Sequence, residues 1–136
     1  MSRLPVASFV DSFFRRTLFQ GDDEEAISTL SRELSGDAEI NINGNSLTTS
    51  EFIDLITTGF RASFTASVVE IRDLNIVSTN EAGTTRVVGQ YTIYDTKGKV
   101  DKAVLRQSAT TIVRVEHRGG KTQITGLWEA QTTDQD

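Results

Sequence analysis

The 136-residue chain contains no cysteine. That removes disulfide frameworks, thiolate nucleophiles and thiolate metal sites. Histidine occurs once, at position 117, so a His-rich metal site has nothing to draw on, and no carboxylate cluster has ligand spacing. No Asn-x-Ser/Thr acceptor occurs. No apolar run approaches the ~20 residues that cross a bilayer. The first residues, Met1-Ser2-Arg3-Leu4-Pro5-Val6-Ala7, lack the apolar stretch of a signal peptide. A cytoplasmic protein without a membrane partner is therefore expected. Net charge is −5, from 14 basic and 19 acidic residues, and the basic residues are scattered. Counterion release then gives little on a polyanion, so no nucleic-acid partner is expected. The ten glycines show no phosphate-binding spacing, and no Gly-x-Ser-x-Gly elbow occurs. No cofactor is expected.

What is present is ordinary in amount and ordered in pattern. A 37% hydrophobic, 24% charged chain of this length is enough for one core, and 1–136 is read as a single domain. Pro5 suits a helix start. Val6, Phe9, Val10, Phe13, Phe14 and Leu18 then recur at three- and four-residue spacing. Gly21 ends that helix. Asp22, Asp23, Glu24 and Glu25 place negative charge at the start of a second, whose apolar stripe is Ile27, Leu30 and Leu34 and whose stop is Gly36. Ala38 to Asn43 alternates as a short strand, Asn43-Gly44-Asn45 is a turn, and Ser46-Leu47 returns. Thr48-x-x-Glu51 matches a capping box, with Leu47 and Phe52 placed as a hydrophobic staple. The third helix runs from about Thr49 to Phe60, with Phe52, Ile53, Ile56 and Phe60 on one face.

From Phe64 onward the period is two. Strands are predicted over Ser63–Val77, Thr85–Tyr94, Lys102–Glu116 and Thr122–Gln131, followed by a frayed tail from Thr132 to Asp136. Strands this long exceed the usual five or six residues and must twist and bend. Gly89 and Gly126 are the mid-strand bend candidates. The fold class is α+β: a cone-like, curved antiparallel sheet of four long strands plus a short hairpin, wrapped around three N-terminal helices.

The Phe9–Leu18 helix, the Asp37–Ile42 segment, the Leu47–Phe60 helix and the closing Gly120-Lys121-Thr122-Gln123-Ile124-Thr125-Gly126-Leu127-Trp128-Glu129 together resemble the nuclear transport factor 2-like superfamily. The SnoaL-like, polyketide cyclase-like branch is the most similar. The resemblance implies a cone that holds a small molecule. Where its members catalyse, it implies an acid or base inside the cone, often Asp, His or Tyr. It also implies a dimer through the outer sheet face.

Catalysis in such a cone needs ionisable groups on inward strand positions. The more apolar parity of the second and third long strands puts Tyr91, Gln107 and Thr111 inward. Tyr91 is then a hydrogen-bond donor to a developing oxyanion, and Glu129, if inward, a base. Gln107, Thr111, Trp128 and Phe60 are the ligand-binding candidates. Trp128 reads either as a ligand wall or as a core or dimer anchor, and Glu129 either as a base or as a solvated strand residue. Barring a bulge, one faces in and the other out. His117 falls at an exposed hairpin corner, and Arg72 and Asp73 read as an exposed charge pair. Two functions follow. One is a small-molecule-binding cone acting as a cofactor-independent isomerase, cyclase or dehydratase on a hydrophobic metabolite. The other is a non-catalytic dimerisation or protein-interaction module.

Overall fold

A computed structural model describes residues 5–133. Helix α1 spans Pro5–Leu18 and α2 spans Asp23–Glu33. Strand β1, Leu34–Ile42, turns into the short β2, Asn45–Leu47. Helix α3, Thr49–Asp54, continues as a π-helical segment, Leu55–Phe60, and ends in a single turn, α4, Arg61–Ser63. Four long strands follow: β3 Phe64–Ser78, β4 Thr85–Gly98, β5 Val104–Arg118 and β6 Lys121–Thr133. The last residues of the expected polar tail, 134–136, lie outside the described residues.

The local chemistry accounts for most boundaries. Asp22 caps α2, its Oδ1 accepting from the amides of Glu24 at 3.0 Å and Glu25 at 3.2 Å. The capping box forms as read: Thr48 Oγ1 accepts from Glu51 N at 3.1 Å and Glu51 Oε1 from Thr48 N at 2.9 Å. The backbone amide at Thr48 holds the Glu51 carboxyl below the usual carboxylate range. Two expectations fail in the second helix. Gly36 is no stop, because the chain is already extended at Leu34, and Ile27 is exposed while Ala26, Thr29 and Leu30 are buried.

The six strands form one sheet in the order β2-β1-β6-β5-β4-β3. β3 to β6 are an antiparallel meander, but β1 joins β6 in parallel, so the sheet is mixed. It does not close into a barrel. Both bend candidates lie at irregular register. Gly89 pairs with Asn75 beside an extra residue in β3, and Gly126 follows an extra residue, Thr125, in β6. Helices α1 and α2 pack on the concave face around Val10, Phe13, Leu30, Val88, Val113, Ile124 and Leu127. Phe13 is fully buried, worth roughly 1.5–3 kcal/mol in area removed from water. The buried Arg61 ties the helices together. Its Nε reaches Asp23 Oδ1 at 2.8 Å and its Nη1 donates to Thr17 O at 2.9 Å, at the carbonyl end of α1.

Gly126 is required by what lies on it. A Cβ there would come within 2.5 Å of Trp128 Cη2 and 3.3 Å of Arg114 Cβ. The indole thus folds back over Gly126, with the Arg114 guanidinium 5.5 Å above its centre. Gly126→Ala is expected to displace the ring and cost about 1–3 kcal/mol in chemical denaturation. The emission of Trp128, the only tryptophan, reports the displacement directly.

Candidate functional site

Register fixes which side chains meet. Gln90 pairs with Thr111 and Tyr94 with Gln107 on β4 and β5, and Thr111 pairs with Glu129 on β6. Side chains opposite one another share a face. Gln107 and Thr111 therefore project toward the helices as expected, and they take Gln90 and Tyr94 with them. Tyr91 pairs with Thr110 and lies on the outer face, where the Arg72 guanidinium sits 5.9 Å from its ring. The expected inward Tyr91 is thus replaced by Tyr94. The misreading has a physical cause. The outer face is itself apolar, with Leu74, Val77 and Ile112 exposed on neighbouring strands, while the inner face of β4 carries Gln90, Thr92, Tyr94 and Thr96. Arg72 also leaves the expected pair: it bonds Glu70 at 3.2 Å, and Asp73 Oδ1 accepts from buried Gln90 Nε2 at 3.0 Å.

On β6 the extra residue Thr125 switches parity. Ile124 faces the core, and so does Leu127, three residues later. Counting on from Leu127, Trp128 faces out and Glu129 faces in. Glu129 lines a cavity of about 280 Å³ with Tyr94 and Gln131 on its sheet side. The rest of the wall is apolar: Leu18 from α1, Ile42 from β1, Phe52 from α3, Leu55, Ile56, Gly59 and Phe60 from the π-helical segment, and Phe64 at the start of β3. Phe60 is thus at the wall, its ring 5.9 Å from that of Phe64. Trp128 is not. Gln107 and Thr111 sit beside the cavity, with Thr111 in a small neighbouring void of about 30 Å³ shared with Tyr94 and Glu129.

The π-helical turn explains how one short segment supplies four wall residues. Its wider winding shifts the residues after Asp54 relative to an α-helix, and such turns recur at functional sites. Thr57 and Thr58 donate to the carbonyls of Ile53 and Asp54 at 2.8 and 2.7 Å, satisfying backbone oxygens beside it. Nothing in the hydrophobic pattern signals this change of winding.

Two polar groups of this wall are electrostatically unusual. No described residue forms an ion pair or hydrogen bond with the Glu129 carboxyl, and burial alone pushes its pKa up to about 7. The Tyr94 phenol is pushed above its ordinary range by burial first and the Glu129 charge second, partly offset by the amide of Gln131, which donates to its oxygen. The Phe19 ring, 5.4 Å away, packs on Tyr94. Asn43 holds the strand at this point. Its residue adopts φ +53°, its amide donates to Glu129 O at 2.8 Å, and its Oδ1 accepts from Gln131 N at 2.7 Å. The turn chemistry of Asn43 was legible in the sequence; this second role was not.

A larger cleft, about 420 Å³, lies at the other end of the sheet beside Phe9, Arg86 and His117. His117 is exposed there, its Nδ1 3.0 Å from Thr122 Oγ1, and no buried acid or base accompanies it among the described residues. Among the described residues no His/Cys/Asp/Glu group could hold a metal ion, and no helix is long and apolar enough to cross a membrane.

A carboxyl with a folded pKa above its unfolded value binds a proton in the native state over pH values where the unfolded chain has released it. Stability therefore falls as pH rises from about 4.5 to about 7 and is flat above, as far as Glu129 decides it. Glu129→Gln is expected to remove this slope and to gain roughly 1–3 kcal/mol over wild type on the alkaline side, read from urea midpoints across the window.

No protein-family profile matches the sequence, and no curated protein matches it. Solved structures do. A ketosteroid isomerase-like protein from Erwinia carotovora atroseptica SCRI1043 is 12% identical with TM-score 0.69, over 95% of this chain and 92% of that one. The hexachlorocyclohexane dehydrochlorinase LinA-type3 from Novosphingobium barchaimii LL02 is 14% identical with TM-score 0.64, over 96% and 88%. An NTF2-like protein from Cytophaga hutchinsonii ATCC 33406 is 13% identical with TM-score 0.62, over 98% and 100%. At such identities the likeness is one of fold, and the fold is NTF2-like.

Proposed function

We propose that this NTF2-like cone binds a small, uncharged, mainly apolar molecule and performs proton transfer on it, with Glu129 as the base and Tyr94 as the hydrogen-bond donor. The observation that carries the reading is a carboxyl without a partner among the described residues, set in an apolar cavity where burial pushes its pKa up to about 7. A base poised there is effective at working pH. In the step itself, the Glu129 carboxylate takes a proton from a carbon next to a carbonyl. The C–H electron pair becomes the C=C bond of an enolate while the C=O π pair moves to the oxygen, which receives a hydrogen bond from Tyr94. Returning the proton to a different carbon completes an isomerisation; loss of a leaving group completes an elimination. The reading needs no cofactor. Two of the structural neighbours are described as a ketosteroid isomerase-like protein and a dehydrochlorinase, which supports this class for the fold without naming a substrate for this chain.

The test is exchange of the acidic C–H hydrogens of apolar ketones with deuterated water, with candidates drawn from native mass spectrometry of the purified protein. The catalysed rate should rise with pH through about 7. Glu129→Gln should lose about 10²-fold or more, and Tyr94→Phe a smaller factor of about 10. A rate with no inflection near neutrality, or one that survives Glu129→Gln, sinks the acid–base role.

A second reading concerns the outer face, and it rests on exposed Leu74, Val77 and Ile112, at 47%, 52% and 46% of their full accessibility. We propose that this face pairs with a second copy of the chain. An isologous contact of that kind is the usual form for homodimers. Ile112→Glu is expected to shift light-scattering mass from dimer to monomer without changing the far-ultraviolet spectrum. A monomeric wild type at micromolar concentration counts against it.

A further inference from the structure

The polar wall carries a directed hydrogen-bond relay that the proton transfer above does not itself use. Gln131 Nε2 has two hydrogens. One goes to Tyr94 Oη and the other to Gln107 Oε1 at 3.2 Å. Gln107 is oriented in turn. Its Nε2 donates to Thr96 Oγ1 at 2.9 Å, and its Oε1 also accepts from Thr133 Oγ1 at 3.4 Å. Reversing the Gln131 amide alone would set its oxygen against the Gln107 oxygen, so the two amides keep one relative direction. The backbone beneath is held as well, by Asn43 Oδ1 on Gln131 N.

The consequence falls on Tyr94. Its oxygen already accepts from Gln131, so its own hydrogen is not spent on that contact, and no described residue accepts it. A phenol keeps its O–H near the ring plane. A donor on one side therefore sends the hydrogen to the other, and the ring is fixed by Phe19. Tyr94 lines the cavity. We propose that Gln131, oriented by Gln107, is a positioning residue that turns the Tyr94 hydroxyl hydrogen into the cavity. This rests on Tyr94 as the donor to substrate, and it gives Gln107 a role one residue removed from the ligand contact expected of it.

A merely structural Gln131 and a positioning Gln131 differ in one substitution. Gln131→Met removes the bond. Gln131→Glu keeps a bond but replaces the donor with an acceptor, which draws the Tyr94 hydrogen away from the cavity. Acetophenone is the probe, with its carbonyl stretch read by infrared difference spectroscopy in wild type, Tyr94→Phe and both Gln131 variants. The wild-type band should lie below that of Tyr94→Phe. Gln131→Glu should bring it to the Tyr94→Phe position while the far-ultraviolet spectrum stays that of the folded protein, and weaken acetophenone binding about three- to tenfold, the effect of one hydrogen bond. Wild-type bands in both Gln131 variants overturn the positioning role while leaving Tyr94 as donor. Coincident bands in wild type and Tyr94→Phe overturn the donor reading and the inference with it. In ligand-free protein the Tyr94 ¹³Cζ resonance gives an independent readout. It should move in opposite directions in the two Gln131 variants, and no movement in either overturns the proposal.

Discussion

One extra residue in β6 decides which side of the sheet every later residue of that strand faces. Side chains alternate along a strand, so a single bulge inverts the alternation beyond it. Ile124 and Leu127 both face the core because Thr125 intervenes, and the inversion carries forward to Glu129 and Gln131. Without it the same sequence would direct Trp128 at the helices and Glu129 at solvent. The bulge is held on the outer face: Arg114 Nε donates to Thr125 Oγ1 at 3.0 Å and Nη2 to Thr125 O at 2.9 Å. Gly126 then leaves room for the indole. A structural contact on one face of the sheet therefore sets which side chains line the other.

The cavity divides its labour by element. Helices and the π-helical segment supply apolar wall, which raises the cost of charge, and the sheet supplies the groups that pay attention to charge: Glu129, Tyr94 and Gln131. Neither half suffices. A carboxyl on an open strand would lack the burial that raises the pKa of Glu129, and an apolar pocket without Glu129 would carry no carboxyl. The amides of Gln107 and Gln131 matter because they bring donors, not charge, so they order the site without neutralising the carboxyl.

The sequence showed element order, the capping box, the acidic start of α2, the long strands and both glycine bends, because each is written in local chemistry or in a period. It left Trp128 and Glu129 as alternatives, and correctly tied them to opposite faces. It misassigned Tyr91 because the outward parity of β4 is the more apolar one, so hydrophobicity chose the wrong face; the pairing of Tyr94 with Gln107 settles the face, and pairing is nonlocal. The parallel joint between β1 and β6 and the π-helical winding were likewise invisible. Both depend on where distant segments dock, not on the residues within them.

That parallel joint has an entropic cost. β3 to β6 can zip through successive short turns, but Asn43 and Gln131, which meet beside the cavity, are 88 residues apart in the chain. Closing so long a loop costs more entropy than closing the short turns of the meander. Until β1 and the segment behind it dock, Ile42, Phe52 and Phe60 are missing from the wall and Glu129 is bathed in water. Its raised pKa thus depends on wall residues drawn from both halves of the sequence.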